Sequence, residues 1–277
     1  MAVGARVEKP MLWVHVPKNA GTTMCTAAQQ NGERIVRPSV NCNWQANDQS
    51  HLIGRGAVHI NCSERLAKFT RDGFTWGGIE REINAQDLCM PAFEYGILLR
   101  EPWDHMRSLL NCFVHLNATD IQHLFTCAAN AKAGAHCSRP RIDYTSNRPN
   151  HVFFDNYLTR TLLGIDVYRL PMGAITGEHA QLAIRLLGAF SVVLLWDDLA
   201  QAKTVFRRAF GWAMSSGRAP QNKNPSRYVL TFTTEQGRLF RRLARHDFTI
   251  WEHFRSLTLE ARVPERRANR SAPGVTR

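Results

Sequence analysis

Eight residues, Val16-Pro17-Lys18-Asn19-Ala20-Gly21-Thr22-Thr23, bring a lysine, a glycine and two hydroxyls together directly after an apolar run, Met11 to Val16. If the run is a strand and Met24 to Gln30 a helix, the loop between them aims unpaired N–H groups and the positive end of a helix dipole at one point, to which Lys18 adds a full charge. Such a cradle suits a phosphate. The order differs from the GxxxxGK[ST] loop, because Lys18 precedes Gly21, and this weakens an ATPase or kinase reading. A plain strand-to-helix turn with a surface lysine is the competing expectation.

The elements that must position this loop follow one grammar. A second apolar stretch, Phe93 to Leu99, is closed by Arg100-Glu101-Pro102 and followed by helical composition from Trp103 to about Leu116. Between the two units, residues 56–60 form a weaker strand candidate, 63–69 a short helix and 71–90 a loop. Residues 117–150 have little periodicity and read as a short helix followed by an irregular insertion. Helical patches follow at 156–163 and 178–187, then a buried strand at 191–196 and a helix capped by Asp197 or Asp198 that runs to Trp212. After a turn-rich stretch, a last helical region covers 234–257. Strands alternating with helices predict an α/β fold with a mainly parallel central sheet covered on both faces, as one domain over 11–257 with a basic, disordered tail at 258–277.

The 277 residues are 44% hydrophobic and 21% charged, which excludes a wholly disordered, collagen-like or coiled-coil chain. The net charge of +12 favours anionic partners. Eleven arginines against five acidic residues from Arg227 onward supply half of it, read as a solvated helix face plus tail or as a surface for an anionic glycan. No apolar run has the length of a membrane span, so the chain is expected to be soluble. Seven cysteines without a CxxC pair argue against a zinc site and are expected mostly as single thiols, with Cys127 and Cys137 able to staple a loop. Three Asn-x-Ser/Thr sequons begin at Asn61, Asn117 and Asn269 and do not decide a compartment. No RNP sequence, zinc finger or recognition helix supports nucleic-acid binding.

The loop at 16–23 resembles the 5′-phosphosulfate-binding loop of sulfotransferases that use 3′-phosphoadenosine 5′-phosphosulfate (PAPS), whose Golgi carbohydrate branch reads His-x-Pro-Lys-Thr-Gly-Gly-Thr-Ser. His15, Pro17, Lys18, Gly21 and Thr22 are in register; Asn19, Ala20 and Thr23 vary. The second hallmark, an apolar strand into Arg-(Asp/Glu)-Pro with Ser eight residues after the Arg, is matched by Arg100, Glu101, Pro102 and Ser108. Weaker likenesses are Asp155 to Arg160, Phe190 to Leu199, Asn222 to Ser226 and Asp247 to Trp251, for which helix packing and loop capping are at least as good an explanation. The resemblance implies a three-layer P-loop NTPase-like fold. It also implies transfer of a sulfuryl group from PAPS to a hydroxyl or amine of a carbohydrate-like acceptor, with no metal.

On the same grounds Pro17 to Thr23 hold the 5′-phosphate, and Lys18 neutralises charge on the leaving oxygen. Arg100 and Ser108 hold the 3′-phosphate; the alternatives are a strand-end salt bridge of Arg100 to Glu101 or Asp104 and a solvated Ser108. The family places Gly-His at the end of its second strand, so His59 is the expected catalytic base, although Val58 stands where the family has Gly. His15 and His105 are alternatives, and Glu80 and Glu82 more distant ones. The competing functions are a nucleotide kinase or NTPase, and a noncatalytic binder of anionic glycans. The resemblance implies residence in the Golgi lumen, as for many relatives, if an anchor or leader lies outside this sequence; a chain complete as given would be cytoplasmic.

Overall fold

The computed structural model describes residues 9–36, 41–43, 61–113, 122, 125–126, 150–196, 202–212 and 232–257. The expected strand at 56–60, most of the 117–150 insertion, Asp197 and Asp198, Asn222 to Ser226 and the 258–277 tail lie outside them.

Among the described residues four strands, β1 (Met11–Val14), β2 (Trp76–Ile79), β3 (Glu94–Leu99) and β4 (Val192–Leu195), form one sheet in the order β2-β1-β3-β4. Every pairing is parallel, with Leu12 beside Gly77 and Tyr95, and Gly96 beside Val192. Parallel neighbours need long crossovers, and helices supply them. Between β1 and β2 lie α1 (Gly21–Gln30) and α2 (Cys62–Asp72); between β3 and β4 lie α3 (Pro102–Phe113), α4 (Tyr157–Leu162), α5 (Ile165–Tyr168) and α6 (Gly177–Gly188); after β4 come α7 (Ala202–Phe210), α8 (Thr234–Leu243) and α9 (Arg245–Ser256).

The period-2 alternation of each strand feeds two cores. Met11, Trp13, Leu98, Val192 and Leu194 pack with α1 and α7, where Trp13 stacks on Trp76 at 5.6 Å. A Cβ on Gly96 would lie 2.5 Å from the Trp13 ring, so a side chain there would displace the indole. Leu12, Val14, Ile97, Leu99, Val193 and Leu195 face the other way, toward α2, α3, α4, α6, α8 and α9. The helices that follow β1 and β3 thus cover opposite faces, which opens a crevice between the carboxyl ends of these neighbouring strands.

Two expectations are corrected. The stretch read as a loop at 71–90 contains β2. Its two glycines depress the strand signal, and close packing explains Gly77 in particular: a Cβ there would approach the Phe69 ring to 2.7 Å. The cysteines are not mostly single thiols, because Cys25 pairs with Cys42 and Cys62 with Cys89. The fold brings the Cα atoms of these pairs to 5.5 and 5.4 Å, within disulfide range. Cys127 and Cys137 lie outside the described residues.

The 234–257 helix is broken at Ala244, and Asn156 occupies the break. Its amide donates to Leu243 O at 2.8 Å while its Oδ1 accepts from His246 N at 2.9 Å. In return the Asp247 carboxylate accepts from Leu158 N and Thr159 N, both at 2.8 Å, at the start of α4. Each segment satisfies terminal backbone groups of the other. Arg160 is fully buried and donates to Asp155 and to the carbonyls of Val167, Tyr168, Leu170 and Pro171. These two stretches are packing and capping devices.

Candidate functional site

The loop after β1 is held in an uncommon shape. Lys18 and Ala20 adopt left-handed backbone angles (φ 70° and 55°), which cost a non-glycine residue energy unless its surroundings enforce them. Here hydrogen bonds to the β3 backbone, to the arginine that follows β3 and to α3 do so. Asn19 Nδ2 donates to Leu98 O at 3.0 Å, His105 Nε2 meets Pro17 O at 2.7 Å, and Arg100 Nη1 donates to Lys18 O at 3.3 Å. Burial pushes the His105 pKa down to about 4, the Pro17 bond opposing it only in part. The ring is therefore neutral near pH 7 and donates Nε2–H to the carbonyl.

Under the loop lies a relay of polar side chains. Helix α1 begins without a side-chain cap at Ala20, and the Gly21 N–H donates to His15 Nε2 at 3.1 Å. The other ring nitrogen, Nδ1, sits 3.3 Å from Glu80 Oε2 at the end of β2. A carboxylate on Nδ1 favours the tautomer whose Nε2 is free to accept, which is the one Gly21 requires. Glu80 Oε2 also accepts from Asn43 Nδ2 at 3.0 Å and Asn41 Nδ2 at 3.4 Å, and Asn41 Oδ1 accepts from Thr22 Oγ1 at 2.9 Å. Burial alone would raise the Glu80 carboxyl; His15 and the two asparagines outweigh it and hold Glu80 below its ordinary range. The Cys25–Cys42 disulfide fastens the asparagine segment to α1.

This geometry corrects one expectation about Gly21. Gly21 stands among the residues expected to hold the anion, but its amide N–H is spent on His15. The glycine is needed for another reason: a Cβ would lie 2.0 Å from the imidazole. The Met24 N–H already donates to Ala20 O at 2.9 Å, so the amide that α1 presents next after Gly21 is that of Thr22.

Arg100 stands at the end of β3, half-buried. Its guanidinium lies 4.4 Å above the Trp196 ring, itself 37% exposed at the end of β4. The alternative partners are occupied elsewhere: Glu101 Oε2 accepts from Asp104 N at 2.9 Å, and Asp104 lies 3.9 Å from Arg107. Arg100 Nε is buried and has no hydrogen-bond partner among the described residues. Burial lowers the Arg100 pKa, with Asp104 and Glu101 offsetting part of the effect. A bound anion would satisfy both the charge and the orphaned donor.

Of the residues singled out from sequence, Pro17 to Thr23 and Arg100 gather at this crevice. Ser108 is half-buried on α3, one turn beyond His105, and no described bond joins it to Arg100. His59 lies outside the described residues. Glu82 is fully buried beside Arg81, which with Arg65 is bound to the buried Asp87. Sequence reasoning gave Glu80 only a distant place and missed Asn41, Asn43 and Trp196; an acidic residue closing a strand was the one available signal, obscured because β2 was read as loop. Comparison with family models, curated proteins and solved structures gave no match.

Proposed function

We propose that this chain transfers a sulfuryl group from PAPS to a hydroxyl or amine of a carbohydrate-like acceptor, on a P-loop NTPase-like fold. The observation that carries the reading is the convergence of Arg100 on the Lys18 loop across 82 residues of sequence, with an orphaned buried donor on the arginine. Two cationic side chains on neighbouring strand ends suit a nucleotide with phosphates at both its 3′ and 5′ positions, whereas a single phosphate needs only the first. Lys18 and the Thr22 amide hold the 5′ side, and Arg100 with Ser108 the 3′ side.

In the transfer, the acceptor oxygen forms a bond to sulfur as the sulfur–oxygen bond to the 5′-phosphate breaks, its electron pair staying on the phosphate. Lys18 offsets the charge that develops there. The acceptor's proton needs a base, and among the described candidates Glu80 is the ionised group beside the loop. His105 commits its N–H to Pro17, and Glu82 is wholly enclosed beside Arg81, whereas Glu80 is buried at 7% exposure and engages His15, Asn41 and Asn43 through Oε2, with no described bond on Oε1. Release of 3′-phosphoadenosine 5′-phosphate (PAP) from PAPS, followed across a panel of hydroxyl-bearing sugars, tests this. Glu80→Gln should lose about 10²-fold or more in turnover at saturating PAPS, beyond the weaker PAP binding that follows from a loosened His15. Full turnover in Glu80→Gln together with its loss in His59→Ala would move the base to His59.

A further inference from the structure

We infer that Asn61 is a site of N-linked glycosylation, accepting an oligosaccharide from a lipid-pyrophosphate donor. Asn61-Cys62-Ser63 is an Asn-x-Ser sequon with no proline at its centre. Asn61 and Ser63 are both exposed at the start of α2. The Asn61 side chain caps that helix through Oδ1, which accepts from Glu64 N at 2.8 Å, and no described contact uses Nδ2. Glycosylation replaces one Nδ2 hydrogen with the sugar and leaves the carbonyl oxygen, so the modified residue caps α2 as before.

The second observation concerns the compartment. Two disulfides join segments 17 and 27 residues apart, and such bonds form where the surroundings are oxidising, as in the lumen in which N-glycans are attached. One of them includes Cys62, the middle residue of the sequon. Once Cys62 is tied to Cys89, the sequon is fixed at a helix start, so transfer takes place on the nascent chain before this bond closes. In the step itself Nδ2 forms a bond to the anomeric carbon, the bond from that carbon to the pyrophosphate oxygen breaks, and the lipid pyrophosphate leaves with the electron pair. The Nδ2 proton passes to the transferase. This inference is independent of the reaction proposed above.

The test is the full chain directed into the secretory pathway of cultured eukaryotic cells, with Asn117→Gln and Asn269→Gln removing the other sequons. Peptide N-glycosidase should shift this protein by one glycan and, in ¹⁸O water, leave a heavy-oxygen mark at position 61. Ser63→Ala keeps the helix cap and should abolish both signals, which separates loss of the sequon from misfolding. An unmodified peptide spanning Asn61 in the sequon-intact chain, secreted or retained, overturns the inference.

Discussion

At the scale of single residues, the site rests on a mutual constraint between Gly21 and His15. The imidazole occupies the space a Cβ would need, and the Gly21 amide depends on the imidazole for its acceptor. Gly21→Ala should therefore destabilise the protein by about 1–3 kcal/mol through overpacking. In a His15→Ala background the same substitution should be close to neutral, because alanine is the better helix former once the ring is gone. Urea unfolding of the four proteins in this cycle reads the coupling directly; additive effects would show that the ring and the glycine are independent. Arg100 obeys a different logic. Its half-buried guanidinium lacks a carboxylate partner among the described residues, so Arg100→Ala should weaken PAP binding at least tenfold and Arg100→Lys should restore only part, since ammonium lacks the planar fork. The lysine–glycine–threonine composition of the loop was legible in sequence, but the use of the Gly21 amide was not. That depends on a ring six residues earlier, turned by a glutamate that follows another strand.

At the scale of elements, the two disulfides have different duties. Cys25–Cys42 ties α1 to the segment whose Asn41 and Asn43 hold Glu80, whereas Cys62–Cys89 ties α2 to the connection between β2 and β3. Replacing either pair by serine should cost about 2–4 kcal/mol of stability. Only the Cys25/Cys42 replacement should also weaken PAP binding; equal affinity losses in calorimetry would contradict the division. Neither pairing was readable, because cysteine spacing without a motif leaves connectivity open. Strands β1, β3 and β4 were legible because each is a continuous apolar run, as a sheet buried on both faces requires. Strand β2 was not, since Gly77 and Gly78 stand where close packing excludes side chains, and that exclusion belongs to the assembled fold. Asn156 breaks the final helix for a similar reason, supplying caps from about 90 residues away.

At the scale of the whole molecule, two fully buried groups make stability depend on pH in opposite senses. His105 has its pKa depressed from 6.5 to about 4, so its contribution is complete above 6.5 and is lost as pH falls through 4. Asp247 has its pKa raised from 3.8 to about 6, chiefly by burial, so its contribution is complete below 3.8 and is lost as pH rises through 6. Each amounts to about 3 kcal/mol at 1.36 kcal/mol per unit, and between pH 4 and 6 the two oppose one another. Urea midpoints from pH 4 to 7 should show His105→Gln gaining stability relative to wild type as pH falls, and Asp247→Asn losing it. Parallel curves for all three proteins would contradict these shifts. The parallel sheet was foreseeable from alternating apolar and amphipathic segments, whereas its strand order, the crevice between β1 and β3 and the groups that tune its carboxyl edge emerge only in three dimensions. The central claim, a site for two phosphates shared by Lys18 and Arg100, is tested most directly by calorimetric titration with PAP, with ATP–Mg²⁺ as control and Lys18→Ala and Arg100→Ala alongside. Tight PAP binding that is lost in both variants is the predicted result. ATP–Mg²⁺ binding without PAP binding, or PAP affinity untouched by either substitution, would contradict it.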